Sequence, residues 1–352
     1  MTDCSFQLLL PYLQNRGEST LLIADENLLA SISSLANNPD LQVISNRFDV
    51  IQACNSNGIN GFFSDFDFSP LQDHPPTTIA YRISKERPVV HHVINQAFRI
   101  LEPGGRLILS GEKGDGIKNT VKAAAKLFGA ATTAIKNGNS YFAEIHKQME
   151  SPVSKWLDDK DYNNLREIGQ LQDKPVLSKP GTFGWNKFDK GSEFLIEQAS
   201  CYLNTKQLSN VSLLDLGCGY GYITLKTAHW DFVTERFATD NNAVALLCLN
   251  NNAEHWGIDL NLSAGDCASH IDKTFDLILC NPPFHQGFDT DSSLTRKFLS
   301  QTHRLLKPDG EALFVVNQFI PLEKLAKDQF RGIDILGDNG SFKVIALRKR
   351  AD

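Results

Sequence analysis

The sequence predicts an α/β fold built from two tandem copies of one doubly wound unit, the first copy stripped of its chemistry. Three observations predict it. Strand-like apolar runs alternate with helical runs through residues 192–348, the pattern of a mainly parallel sheet with helices on both faces. Two separate motifs recur at a near-constant offset, residues 98–109 aligning with 303–314 and residues 139–145 with 340–346. A glycine-rich turn closes the first strand of the second copy and has no counterpart in the first.

In the second copy, a helix is expected near 192–203 and a buried strand near 211–217. Gly217-Cys218-Gly219-Tyr220-Gly221 follows, then a helical run near 221–230. Glycines there let the backbone turn tightly and approach a ligand closely. The spacing is G-x-G-x-G, with Asp215 two positions before it. Dinucleotide enzymes use G-x-G-x-x-G instead. A strand near 236–240 ends in Asp240, whose carboxylate can accept both hydroxyls of a ribose. Asn241-Asn242 then caps a helix over 242–256. A strand near 259–266 ends in Asp266, placed to accept an adenine amine. Three acids at successive strand ends beside a glycine turn predict a nucleoside cofactor.

The strand near 275–281 runs into Asn281-Pro282-Pro283-Phe284. Two prolines cannot donate to a sheet, and the residue before a proline is held extended. The strand therefore stops abruptly with Asn281 at its carboxyl end, where open α/β sheets bind ligands. That stiff corner suits a flat base carrying an exocyclic amine. The amine would donate to the Asn281 side-chain oxygen and the Pro282 carbonyl, while Phe284 stacks on the ring. A helix near 291–306, a Pro308-Asp309-Gly310 turn, a strand near 311–318 and a helix near 321–329 come next. A closing hairpin, 333–337 and 341–348, puts one antiparallel strand into the sheet.

The first copy should carry its glycine turn after residues 20–25, but Glu26-Asn27-Leu28-Leu29-Ala30 stands there. Its counterpart to the Asn-Pro-Pro-Phe corner, residues 79–85, has no Asn-Pro. This half is expected to bind no cofactor. Residues 148–182 are polar, contain Pro152, Pro175 and Pro180, and read as a linker. The domains are expected over 1–170 and 171–352.

A chain of 352 residues suits two domains, and 41% hydrophobic with 22% charged residues is ordinary for a soluble protein. No apolar run is long enough for a membrane span, and the acidic start lacks the basic region of a signal peptide. Seven cysteines without a Cys-x-x-Cys pair argue for reduced thiols in a cytoplasm and against a structural zinc, so no metal is expected. The net charge of −6 does not advertise RNA binding, but its distribution is uneven. Residues 81–140 hold ten basic and four acidic side chains. Arg82, Lys85, Lys113, Lys118, Lys122 and Lys126 are the candidate phosphate contacts. Lys118, Lys122 and Lys126, four residues apart, share one helical face.

Residues 176–350 resemble a class I S-adenosylmethionine (AdoMet)-dependent methyltransferase. Within that group they resemble the bacterial rRNA guanine-N2 methyltransferases, which carry the Asn-Pro-Pro-Phe motif. The layout is most similar to the small-subunit (16S) enzymes acting at guanine 1207; a sister family acts on 23S rRNA. The resemblance implies two tandem Rossmann-like methyltransferase domains, the N-terminal one degenerate and serving RNA recognition or structural support. It implies AdoMet as cofactor, held by Gly191, Asp215, Gly217, Gly219, Gly221, Asp240 and Asp266, with Asn281, Pro282, Pro283 and Phe284 at the reacting base. The stretch from Lys179 to Ser192, including Gly191, is similar to the segment that closes over the cofactor. 16S rRNA or the small ribosomal subunit is the implied partner, and a monomer is expected. Competing readings are a 23S rRNA guanine-N2 enzyme, a protein-glutamine N5 methyltransferase, whose motif usually ends in tyrosine, and a non-catalytic RNA-binding assembly factor.

Overall fold

Each half of the chain builds a seven-stranded sheet, and the two sheets share one strand order. The computed structural model describes residues 3–35, 38–283 and 292–349. In the first half, β1 (Thr20–Ala24), β2 (Leu41–Ser45), β3 (Asn60–Phe63), β4 (Thr78–Arg82), β5 (Arg106–Glu112), β6 (Ile135–Asn137) and β7 (Ser140–His146) lie in the order β3-β2-β1-β4-β5-β7-β6. A hairpin follows, β8 (Arg166–Leu171) and β9 (Lys174–Ser178). The second sheet comprises β10 (Val211–Leu216), β11 (Val233–Asp240), β12 (Asn261–Ala264), β13 (Phe275–Cys280), β14 (Leu306–Asn317), β15 (Phe330–Asp338) and β16 (Phe342–Lys349). Its order, β12-β11-β10-β13-β14-β16-β15, repeats the first sheet strand for strand. In both, the hairpin contributes the one antiparallel member, β7 or β16.

Strands β10 and β13 are covered on both faces, and their side chains alternate between two cores. Leu213, Leu277 and Leu279 enter one core; Leu214, Leu216, Ile278 and Cys280 enter the other. This explains their near-continuous apolar sequence. Helix Ala243–Trp256 starts where Asn242 Oδ1 accepts from Val244 N–H at 2.8 Å and ends at Gly257 in the left-handed region. Strand β14 begins earlier than the sequence suggests. Leu306 pairs with Phe275 before Glu311 pairs with Leu277, so the Pro308-Asp309-Gly310 turn is a bulge inside the strand.

The chain divides into Met1–Asn164 and Leu165–Asp352, so β8 lies wholly in the second unit, ahead of the expected boundary at 170. The expected linker is structured on both sides of the division. Leu157 N–H donates to Asn95 Oδ1, and buried Tyr162 donates to Asp65 and stacks on His92. On the other side, Leu177 exchanges two hydrogen bonds with Asn252 of the helix behind β9. Polar composition hid these contacts because short amphipathic segments carry little apolar signal.

Where the second sheet has its glycine turn, the first has a 3-10 helix, Glu26–Leu35, whose Leu28, Ile32 and Leu35 are buried. At the end of β4, the Arg82 guanidinium pairs with Asp3 at 3.0 Å and Asp115 at 3.2 Å and donates to the Ile83 carbonyl. Arg82 is buried, so its charge is committed to this pair of acids.

Candidate active site

The carboxyl ends of β12, β11, β10 and β13 form the floor of the site. Strand order reverses between β10 and β13, and open α/β sheets bind ligands at such a switch. Leu216 pairs with Thr239 on one side and Cys280 on the other, which brings the glycine turn, Asp240 and Asn281 to one edge.

The turn is stapled to the end of β11. Gly217 N–H and Cys218 N–H both donate to the Thr239 carbonyl, at 3.0 and 3.1 Å, and Gly219 N–H donates to Asp240 Oδ2 at 2.9 Å. Asp240 Oδ1 accepts from Asn242 N–H, joining the turn to the start of the next helix. Gly217, Gly219 and Gly221 all have positive φ, at 79°, 55° and 99°. Their surroundings differ. A Cβ on Gly219 would meet no described protein atom within 4 Å, whereas one on Gly221 would sit 2.3 Å from Leu249 Cδ1. The sequence treats the glycines alike; the structure leaves one open to a ligand and packs another against a helix.

Asp215 is buried beneath the turn. Its Oδ2 accepts from Thr224 N–H at 3.0 Å and Thr224 Oγ1 at 2.6 Å, while Oδ1 is buried without a partner among the described residues. Desolvation pushes its carboxyl up to about 7, against the pull of the Thr224 hydrogen bonds. Burial also pushes up the neighbouring Cys218 and Cys280 thiols, so they pack as apolar groups. Asp266 stands past the end of β12 and pairs with Lys297. A ligand amine there would compete with that lysine.

Asn281 follows β13 directly, ahead of buried Pro282 and exposed Pro283. Its Nδ2 donates to Asp189 Oδ1 at 2.7 Å and to Ser192 Oγ at 2.9 Å. Asp189 caps helix Lys190–Leu203, accepting from Ser192 N–H at 2.8 Å. Gly191 sits inside this cluster: a Cβ there would lie 3.1 Å from Asp189 Oδ1 and 3.4 Å from Asn281 Nδ2. Phe284 lies outside the described residues.

Several site residues escaped the sequence reading. Asp189 caps helix Lys190–Leu203 and Ser192 lies in its first turn; the sequence placed a helix here but not its contact with position 281. Thr224 and Asn252 had no local signal. Asn252 is fully buried in mid-helix and ties the Tyr220 carbonyl in the glycine turn to Leu177 in β9.

Arg82, Arg106 and Arg99 turn to partners inside the first unit: the two acids above, Glu18 with Glu144, and the Trp156 ring. Lys85, Lys113, Lys118, Lys122 and Lys126 are exposed, the last three along helix Ile117–Phe128. Among the described residues, no group of three or more histidines, cysteines and acids could hold a metal, and no helix is long and apolar enough to cross a membrane.

The methyltransferase small domain family model matches residues 173–346. The ribosomal RNA small subunit methyltransferase C of Hahella chejuensis is 30% identical over 273 residues, covering 76% of this chain and 75% of its own. Its namesake from Actinobacillus succinogenes is 26% identical over 352 residues and 99% of each chain. Among solved structures, the T. thermophilus 16S rRNA N2 G1207 methyltransferase, in complex with AdoMet and guanosine, shares the fold. The TM-score is 0.83, the identity 23%, and the match covers 99% of this chain and 92% of that one. By these likenesses the chain belongs to the ribosomal RNA small subunit methyltransferase C family.

Proposed function

We propose that this protein transfers a methyl group from AdoMet to the exocyclic N2 of a guanine in 16S rRNA, of the guanine 1207 type. The observation that carries the reading is the Asn281 amide, fixed by Asp189 and Ser192 at the switch point of the catalytic sheet. The residues present fit AdoMet: a Cβ on Gly219 would meet no described protein atom within 4 Å, so a ligand can approach that backbone, and the Asp240 carboxylate lies directly beside it. Gly217, Gly219, Gly221, Asp215, Asp240 and Asp266 are the residues that would hold it, with the stretch around Gly191 beside Asn281.

When bound, AdoMet supplies an electrophilic methyl on a sulfonium. Guanine N2 is a poor nucleophile because its lone pair is conjugated with the ring. Asn281 Oδ1 and the Pro282 carbonyl accept the two amine hydrogens and favour a more tetrahedral nitrogen. These preorganised dipoles stabilise the charge that develops on it. Phe284 is assigned the stacking role on the base. No strong base is needed, since nitrogen carrying a fourth bond releases its proton readily to water. A paired guanine must first leave its stack, at a cost of a few kcal/mol. Phosphate contacts from Lys85, Lys113, Lys118, Lys122 and Lys126 offset that cost. The first unit thereby serves RNA recognition, and the enzyme acts as a cytoplasmic monomer on the small subunit. Seven free cysteines accord with a reducing compartment.

The test uses tritiated AdoMet with purified small subunits, large subunits and release factor. Label in N2-methylguanine of 16S rRNA is expected, and label only in 23S rRNA or in protein refutes the reading. Asn281→Ala should lose transfer by about 100-fold or more while AdoMet still binds; near-normal turnover in that variant removes Asn281 from the mechanism.

A further inference from the structure

We propose that Asp189 is the positioning residue that fixes which way the Asn281 amide faces and requires an amide, not a carboxylate, at position 281. This rests on the reading that Asn281 Oδ1 accepts from the target amine. An amide has two chemically opposite ends. A half-turn of the Asn281 side chain would present Nδ2 to the guanine amine, donor against donor, and the site would reject its substrate. Asp189 removes that ambiguity. Its ionised carboxylate only accepts, so at 2.7 Å it must face Nδ2; the flipped amide would set oxygen against oxygen. Ser192 Oγ takes the second Nδ2 hydrogen at 2.9 Å. With both donors satisfied, Oδ1 is the end left to meet an incoming amine, and no protein donor reaches it among the described residues.

The cluster is rigid on both sides. Asp189 Oδ1 also accepts from Ser192 N–H as the cap of a 14-residue helix, so the carboxylate cannot swing away without uncapping it. Asn281 is held by β13 before it and Pro282 after it. Gly191 leaves room for the contact, since a Cβ there would crowd Asp189 Oδ1 at 3.1 Å. The same arrangement selects the residue type. A carboxylate at position 281 would lie against Asp189 at hydrogen-bond distance, and like charges that close are strongly unfavourable.

A double-mutant cycle tests this, with the full-length Asn281→Asp, Asp189→Asn and combined variants. Single-turnover transfer to small subunits, AdoMet affinity by calorimetry and thermal denaturation are measured for each. Asparagine caps helices as well as aspartate does, so Asp189→Asn retains the fold. Asn281→Asp is expected to lose transfer by about 100-fold with AdoMet affinity little changed. Adding Asp189→Asn, which removes the facing charge, should recover about tenfold or more of that loss. A purely structural Asp189 gives no such recovery: additive losses, or a doubly mutated enzyme worse than Asn281→Asp, overturn the proposal. If instead Asn281→Ala keeps normal turnover, the reading of Asn281 itself falls. Loss in Asn281→Ala together with additivity in the cycle leaves that reading standing and rejects only the role of Asp189.

Discussion

Asp240 grips the backbone of Gly219: its Oδ2 accepts the glycine N–H at 2.9 Å, while Oδ1 accepts from Asn242. The carboxylate therefore shapes the turn as well as offering oxygens to a ribose. Hydrogen bonds to a charged group contribute about 1.5–3 kcal/mol each. Asp240→Ala should weaken AdoMet binding by about 10- to 100-fold and speed amide exchange at Gly219 and Asn242 in the free enzyme. Unchanged exchange at both amides would show that the turn holds itself.

The glycines of the turn should fail differently. Gly219→Val places a branched side chain in the left-handed region with no described protein atom within 4 Å of its Cβ, so its volume enters the space a ligand would use. Calorimetry should find AdoMet binding abolished with a modest loss of stability, about 1–2 kcal/mol. Gly221→Ala drives a methyl into Leu249 and should cost about 2–4 kcal/mol in denaturant unfolding. Equal effects of the two substitutions on binding and stability would contradict this division of labour.

Asp215 gives the free enzyme a pH signature. Burial holds its carboxyl at about 7 in the folded state, above the ordinary range near 4. A raised folded value means that the group's contribution to stability is fully present below about pH 4 and is lost as pH rises through about 7. Asp215→Asn cannot titrate. The melting temperature of the natural protein relative to Asp215→Asn should therefore fall between pH 5 and pH 8. A difference constant across that window would place the carboxyl in the ordinary range.

The exposed lysines on helix Ile117–Phe128 should set the salt dependence of RNA binding. Replacing Lys118, Lys122 and Lys126 by glutamine should weaken association with small-subunit RNA and flatten the plot of log affinity against log salt by about two to three units of slope. Transfer at saturating RNA should be preserved. A slope unchanged by all three substitutions would assign phosphate contact to another surface.

Much of this architecture could be read before any coordinates. Strand alternation, the repeated motifs and the proline corner gave the sheets, the duplication and the abrupt end of β13, because each rests on local chemistry. What escaped depends on contacts distant in sequence. Asp189 meets Asn281 across 92 positions, and Arg82 meets Asp3 across 79. Nothing near Arg82 in the sequence distinguishes it from the lysines that face solvent. Likewise, identical glycines at 219 and 221 differ only through Leu249, which a helix brings alongside one of them.

The 3-10 helix that seals β1 gives the two halves opposite evolutionary freedoms. A rim that must stay hollow cannot be filled, however much an added methyl group would improve packing; the sealed rim has no such obligation. Random libraries should therefore accept bulkier residues at exposed Asn27 while purging them around Gly219 and Asn281. Selection for heat tolerance should then accumulate its gains in the half whose first strand that helix closes.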